Sequence, residues 1–223
     1  MFKLTKLVTL NPDSGDAGKT KVEAALTAAA KPSATVVRSM LNPTYPNVYN
    51  GGNYIWHLQF TDEAGYRSWK ADAGKTLDAV LDDKSLVTLV ESAAYQGGPS
   101  GSKPGAPGKG AYRTLFLSVN KAPNEDAVKL FDHETYEMGK YIHTIKNWQV
   151  SRVKEASGSR PWTHIWEQEY EDISGLHGAY MLHPHHWGHI DRWYDPECTD
   201  YMIDTFLCHT FCDFDGSMIA PKG

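Results

Sequence analysis

The chain has 223 residues, 41% of them apolar, and its 22 Lys and Arg against 27 Asp and Glu give a formal charge of −5. That length holds one sizeable domain or two of about a hundred residues each, and the composition is that of a globular chain rather than a disordered one. The acidic balance without a basic run excludes a nucleic-acid footprint, the lack of a bilayer-length apolar stretch excludes a spanning helix, and the start MFKLTKLVTLNPDSG lacks a secretory core, so a cytoplasmic protein is expected. Cys198, Cys208 and Cys212 are odd in number and close together, which is no disulfide framework.

Taken in chain order, hydrophobic periodicity predicts a strand over Leu4–Leu10, a helix over Gly18–Ala30, strands over Ala34–Met40 and Asn53–Phe60, a helix over Asp62–Leu81 and a strand over Ser85–Tyr95. The next stretch, GGPSGSKPGAPGKG from Gly97 to Gly110, contains only Gly, Pro, Ser, Lys and Ala and reads as a linker without regular structure. After it the same order returns: a strand over Tyr112–Val119, a helix over Asn124–Ile142, strands over Asn147–Glu155 and Trp162–Tyr170, a helix over Asp172–Tyr194 and a strand over Tyr201–Phe211. NYIWHLQFTD and WTHIWEQEYED are the closest local match between the halves, each ending in an acidic residue able to cap the following helix.

β-α-β-β-α-β is the order of the ferredoxin-like unit, an antiparallel sheet with both helices on one face. Alternation places Tyr54, Trp56, Leu58 and Phe60 on one side of their strand and His164, Trp166, Gln168 and Tyr170 on the equivalent side of theirs. The bare faces of two such sheets can shield one another. The expected fold is therefore α+β: tandem ferredoxin-like repeats forming an intramolecular dimeric α/β-barrel. Its units are 1–96, a linker 97–110, a second half 111–214 and a tail 215–223, and the assembly is a monomeric pseudo-dimer or a homodimer. The loop NPTYPNVYNGGN, Asn42–Asn53, is read either as cover for a cavity mouth or as ordinary surface.

Nine of the ten histidines lie between His133 and His209, so chemistry is expected in the second half. The densest stretch, AYMLHPHHWGHIDRWYD, contains Pro184, which fits the first turn of a helix and not its interior. With a restart there, His186, Ile190, Trp193 and Tyr194 share one flank, His185, His189 and Arg192 another, and Tyr180 and His183 precede the break on the first flank. Three readings remain open: an acid–base site where a phenol and two imidazoles converge, a solvated histidine-rich helix, and a metal site using His185 and His189 at i, i+4 with Cys208 and Cys212. The metal reading lacks any H-E-x-x-H or paired C-x-x-C pattern.

The segment WTHIWEQEYEDISGLHGAYMLHPHHWGHID, with its Thr-His-Ile strand and Tyr-x-x-His-Pro-x-His run, resembles the stress-responsive dimeric α/β-barrel (Dabb) family, and its plant polyketide cyclases in particular. The resemblance implies a catalytic pair at Tyr180 and His186, with His183 and Pro184 matching the motif. By chain distance it implies Asp204 as the aspartate that holds the catalytic histidine, and a pocket tyrosine at Tyr136. It also implies that His164, Trp166 and Gln168 point into the cavity. Two departures stand out: the cyclases' first-strand histidine falls at Thr114, and the first half reads SWKADAGK where the histidine motif belongs.

These observations lead to a cofactor-independent acid–base lyase or cyclase for a small aromatic or polyketide-like molecule. His186 is its general base, Asp204 orients that base, Tyr180 polarises an oxygen, and His183, His164 and Tyr136 bind substrate or relay protons. Trp166, Gln168 and Trp187 are further substrate contacts, and the hollow is expected between the two sheets. A non-catalytic ligand-binding barrel and a metal- or haem-dependent enzyme are the alternatives.

Overall fold

A computed structural model describes residues 1–119 and 124–219. The first half runs β1 (Phe2–Leu10), α1 (Gly15–Ala29), β2 (Val36–Pro43), β3 (Tyr54–Phe60), α2 (Glu63–Trp69), a π turn at Lys70–Gly74, α3 (Lys75–Leu81) and β4 (Val87–Gln96). The expected capping aspartate of the second helix is in place, Asp62 accepting from Gly65 N at 2.8 Å. The second half runs β6 (Lys109–Leu117), α4 (Glu125–Tyr141, capped by Asn124), β7 (Asn147–Ser157), β8 (His164–Tyr170) and β9 (Cys208–Asp215). A stretch of short π and 3-10 turns between β8 and β9 replaces the single long helix expected over Asp172–Tyr194.

The strands form one antiparallel sheet in the order β2-β3-β1-β4-β7-β8-β6-β9. β4 and β7 join the halves, Ser92 pairing with Ser157 and Tyr95 with Val153. The sheet curls until its outer edges meet: Tyr45 N donates to Phe211 O at 2.9 Å, and Tyr49 and His209 exchange backbone hydrogen bonds of 3.0 and 2.8 Å. The Asn42–Asn53 loop thus neither covers a mouth nor lies idle on the surface. It stitches a nearly closed α+β barrel along the seam, because an unpaired strand edge leaves backbone donors and acceptors without partners.

The same constraint overturns the structureless linker. β7 extends beyond the end of β4, and residues Ser100–Ser102 (β5) pair with that free stretch, Gly101 lying opposite Trp148. A Cβ on Gly101 would come within 2.2 Å of the Trp148 ring, so glycine here permits a close approach of backbone to indole. The last strand also begins later than expected: residues 201–207 are irregular apart from a bridge between Ile203 and Val119, and the strand starts at Cys208.

Alternation along the strands divides the molecule into three cores. Tyr54, Trp56, Leu58 and Phe60 face α1–α3 with Val22, Leu26 and Trp69, and Trp56 Nε1 donates to Leu26 O at 3.1 Å. Trp166 and Tyr170 face α4 and the turns that follow β8. The barrel interior is lined from both halves by the opposite faces, with Leu7, Ile55, Tyr95, Tyr112, Phe116 and Ile165 among its apolar residues. Polar groups lie inside too. Lys3 on β1 reaches Glu167 on β8 at 3.0 Å, and both side chains are almost wholly buried. Tyr112 OH donates to the same carboxylate at 2.9 Å. The C-terminal segment plugs this end: Met218 O accepts from Lys3 Nζ at 3.1 Å, and Met218 N donates to Glu169 at 2.7 Å.

Removing one member of a buried pair strands the other charge. Lys3→Met is expected to lower unfolding stability by about 3–5 kcal/mol in a urea titration, with partial recovery when Glu167→Gln is added. His57, inside the barrel and hydrogen-bonded through Nδ1 to Thr5 at 2.8 Å, has its pKa held well below the usual histidine value, first by burial and then by Lys3. Its folded pKa is depressed, so the stability it contributes is present above the unfolded value near 6.5 and lost as pH falls below it, by up to about 1.4 kcal/mol per pH unit. Stability measured from pH 7 to pH 5 is expected to fall less steeply in His57→Asn than in the parent.

Candidate active site

The histidine-rich stretch crosses the outer face of the second half-sheet. A π turn spans Leu176–Tyr180, the chain breaks at His183, helix restarts at Pro184 as expected, and a second π turn spans His186–Ile190. His183 caps the restart, its Nδ1 accepting from His185 N at 3.1 Å. The break turns Tyr180 and His186 toward each other: the rings lie 4.8 Å apart in an edge-on arrangement, and Tyr180 is buried. Both line a pocket of about 210 Å³ with Arg113, Trp166, Asp191 and His209 as its polar and aromatic wall.

This pocket lies between the sheet and the helical layer of the second half, not in the expected hollow between the two sheets. The barrel interior is packed with its own side chains, whereas the outer face of β6, β8 and β9 is covered by short, irregular turns that leave a gap.

Arg113 is the hub. Its Nη1 donates to Tyr180 OH at 3.0 Å and to Gln168 Oε1, and its Nε donates to His209 Nε2 at 2.7 Å. Burial and the adjacent guanidinium drive the His209 pKa down to about 2, so the ring is neutral and accepts. The His186 pKa is also lowered, first by burial, with Arg113 and His185 adding to the shift and Asp191 opposing it. His186 Nδ1 lies 3.3 Å from Asp191 Oδ1, close enough for an ion pair though not aligned as a hydrogen bond.

Several expected site residues are elsewhere. Asp204 does not meet His186; it pairs with Arg160 at 3.2 Å and accepts from Phe206 N in a turn, because the strand expected to carry it has not yet begun. Asp191 has the place next to the histidine instead. His164 packs under α4, edge-on to Phe131 at 5.6 Å, with Nε2 3.2 Å from Asp132. Tyr136 reaches over the linker strand, its OH 3.4 Å from Ser100 O. Trp187 is 61% exposed on the far side of its turn. Of the expected substrate contacts, Trp166 lines the pocket and Gln168 reaches it through Arg113. His183 caps the restart and is not among the lining residues.

On β6, Arg113 and Leu115 face the pocket while Thr114 between them points into the barrel; the register that pairs Arg113 with Gln168 decides this. His209 could have been found by alternation in CHTFCDF, which sets His209 and Phe211 against Cys208, Thr210 and Cys212. Asp191 could not, since an α-helix turns a residue five positions on by about 140° away from the first. The π turn brings it back, Asp191 N donating to His186 O. The metal constellation does not assemble: His185 and His189 stack on each other at 4.8 Å outside the sheet, and Cys208 and Cys212 face the barrel interior. Among the described residues no group of three or more His, Cys, Asp or Glu is placed to hold a metal ion. No helix among them is long and apolar enough to cross a membrane.

The first half has a counterpart cavity of about 510 Å³ between β1, β4 and its helices, and none of its lining residues is a histidine. Lys6 sits there 3.5 Å from Asp78, its pKa lowered by burial, and Lys70 pairs with Glu155 at 2.5 Å. It is the larger of the two cavities, but its phenol, Tyr66, is hydrogen-bonded to Glu155 at 3.1 Å and no imidazole stands beside it to act as a base.

Residues 111–206 match the family model described as the Stress responsive A/B Barrel Domain (Dabb). No curated protein matches the chain. Among solved structures, an anthrone oxidase-like protein is similar with a TM-score of 0.66 at 10% identity, over 95% of this chain and 90% of that one. A monooxygenase-like protein from Fusobacterium nucleatum gives 0.60 at 11% identity, over 99% and 97% of the two chains. One from Lactobacillus acidophilus gives 0.56 at 10%, over 99% and 98%. At such identities the likeness is one of fold, and it extends over both halves. Residues 111–206, within the second half of this chain, are thus a stress responsive A/B barrel domain.

Proposed function

We propose that the protein is an acid–base enzyme, a lyase or cyclase acting on a small aromatic or polyketide-like molecule at the pocket between Tyr180 and His186. The observation that carries this reading is the convergence of a buried phenol, a neutral imidazole and a guanidinium on one pocket. His186 is the general base. Asp191 beside Nδ1 favours the tautomer with the proton on that nitrogen and leaves the Nε2 lone pair to take a proton from a carbon next to a carbonyl. As the electron pair moves onto the carbonyl oxygen, Tyr180 O–H donates to it, and Arg113, already bonded to the phenol oxygen, stabilises the charge that develops. The resulting enolate either closes a ring on a second carbonyl carbon or expels a leaving group. The imidazolium then returns its proton to the new alkoxide or the departing group.

The names of the structural neighbours, anthrone oxidase-like and monooxygenase-like, are in keeping with small-molecule chemistry on this fold but leave the bond made or broken open.

Turnover of candidate phenolic and polyketide-like substrates, followed by chromatography for a released fragment or a new ring, is expected to fall about 10²–10⁴-fold in His186→Ala and in Tyr180→Phe at unchanged stability. Full activity in both variants would leave a ligand-binding role in place of catalysis. With the His186 pKa lowered, the acid limb of kcat/KM is expected below pH 6.5, and Asp191→Asn is expected to move it lower still by removing the charge that opposes the shift.

A further inference from the structure

Arg113 is only 4% exposed, yet every side chain it bonds is uncharged: His209, Gln168 and Tyr180. No carboxylate among the described residues forms an ion pair with it. Four of the other five arginines differ, for Arg67, Arg152, Arg160 and Arg192 each hold a carboxylate. A desolvated guanidinium with neutral partners is costly unless an anion reaches it. The one carboxylate lining the same pocket, Asp191, is more than half exposed and turned to His186. Its charge is therefore largely screened by solvent and directed at another group.

A second observation points the same way. Trp166 lines the pocket, and its indole N–H is buried without an acceptor. The wall therefore offers donors to a ligand and places a surplus positive charge behind them. Leu115, Met138, Met181, Ile190 and Leu207, with the Tyr194 ring, complete the lining and call for an apolar body. A volume of about 210 Å³ is below the ~300 Å³ at which drug-sized ligands begin to fit, so that body is one ring or a short chain.

From this we infer that the pocket takes a small organic mono-anion, a carboxylate or an ionised phenol on an apolar frame, whose charge is met by Arg113. The inference rests on the proposed function for the location of the substrate and deepens it by naming the substrate's charge. One guanidinium without a counterion matches one negative charge. Tyr180, accepting from Arg113, keeps its own hydrogen for the same anion or for the oxygen that becomes one, so a single arrangement serves both binding and the developing enolate.

The test compares benzoate with benzamide, its neutral near-isostere, by isothermal titration calorimetry at neutral pH on the full chain. Benzoate is expected to bind at least about tenfold more tightly, the difference of about 1.4 kcal/mol that one charge-assisted contact supplies. Arg113→Gln, checked for folding by circular dichroism, is expected to erase that preference. His186→Ala is expected to keep it, so loss of turnover in that variant and loss of anion binding can be told apart. Lys6→Met is also expected to keep it, which separates this pocket from the first-half cavity. Equal binding of the two probes by the parent protein, no benzoate binding at millimolar concentration, or a preference lost in Lys6→Met would each overturn the inference, and none of these depends on Arg113→Gln folding.

Discussion

The ion pair between Lys3 and Glu167 joins a strand of the first half to a strand of the second through the barrel interior, with two other strands between them along the sheet. Each charge satisfies the other where neither meets water, and Tyr112 and the Met218 carbonyl take up remaining hydrogen-bonding capacity. Such a pair adds little net stability over apolar packing, but it penalises any arrangement that separates its members. One face of every strand is thereby committed to a common interior. The other face is left to the helices, and the pocket is on that other face.

Coverage of the outer faces differs between the halves. In the first, α1, α2 and α3 seal most of the sheet with Trp56, Trp69 and Tyr66, and the cavity that remains pairs Lys6 with Asp78 and Lys70 with Glu155. In the second, Pro184 breaks the covering helix, and two π turns re-aim its side chains. π turns sacrifice regular packing to place particular residues, and here they bring Tyr180, His186 and Asp191 to one wall. The opposite wall is built by β6 and β9, whose register sets Arg113 opposite Phe211 and Leu115 opposite His209, leaving Arg113 and His209 as diagonal neighbours. The Asn42–Asn53 loop holds β9 from its free edge, so the first half contributes to the site through backbone hydrogen bonds.

The electrostatics of the pocket follow from burial more than from any one contact. Desolvation is the leading cause of the lowered pKa at both His186 and His209, and Arg113 deepens each shift. A neutral imidazole is what a general base requires and what a guanidinium donor requires of its acceptor, so one environment meets both needs.

Local pattern alone was sufficient for the β-α-β-β-α-β order, the cap at Asp62, the break at Pro184 and the grouping of alternate residues on β3 and β8, because a period of two or 3.6 residues and a missing N–H are properties of the chain next to itself. It also grouped Tyr180, His183 and His186, and the family resemblance narrowed these to Tyr180 and His186. What the tertiary structure decided depends on partners distant in sequence. The edge of β7 turned the glycine-rich linker into a strand, and the seam turned a loop into a clasp. The register of β6 against β8 chose Arg113 over Thr114 for the pocket. The late start of β9 moved Asp204 away, and a π turn invisible to α-helical periodicity put Asp191 beside His186. Strand edges, registers and non-standard turns are set by which backbone groups still need a partner once the rest of the sheet is assembled, and no window along the chain contains that information.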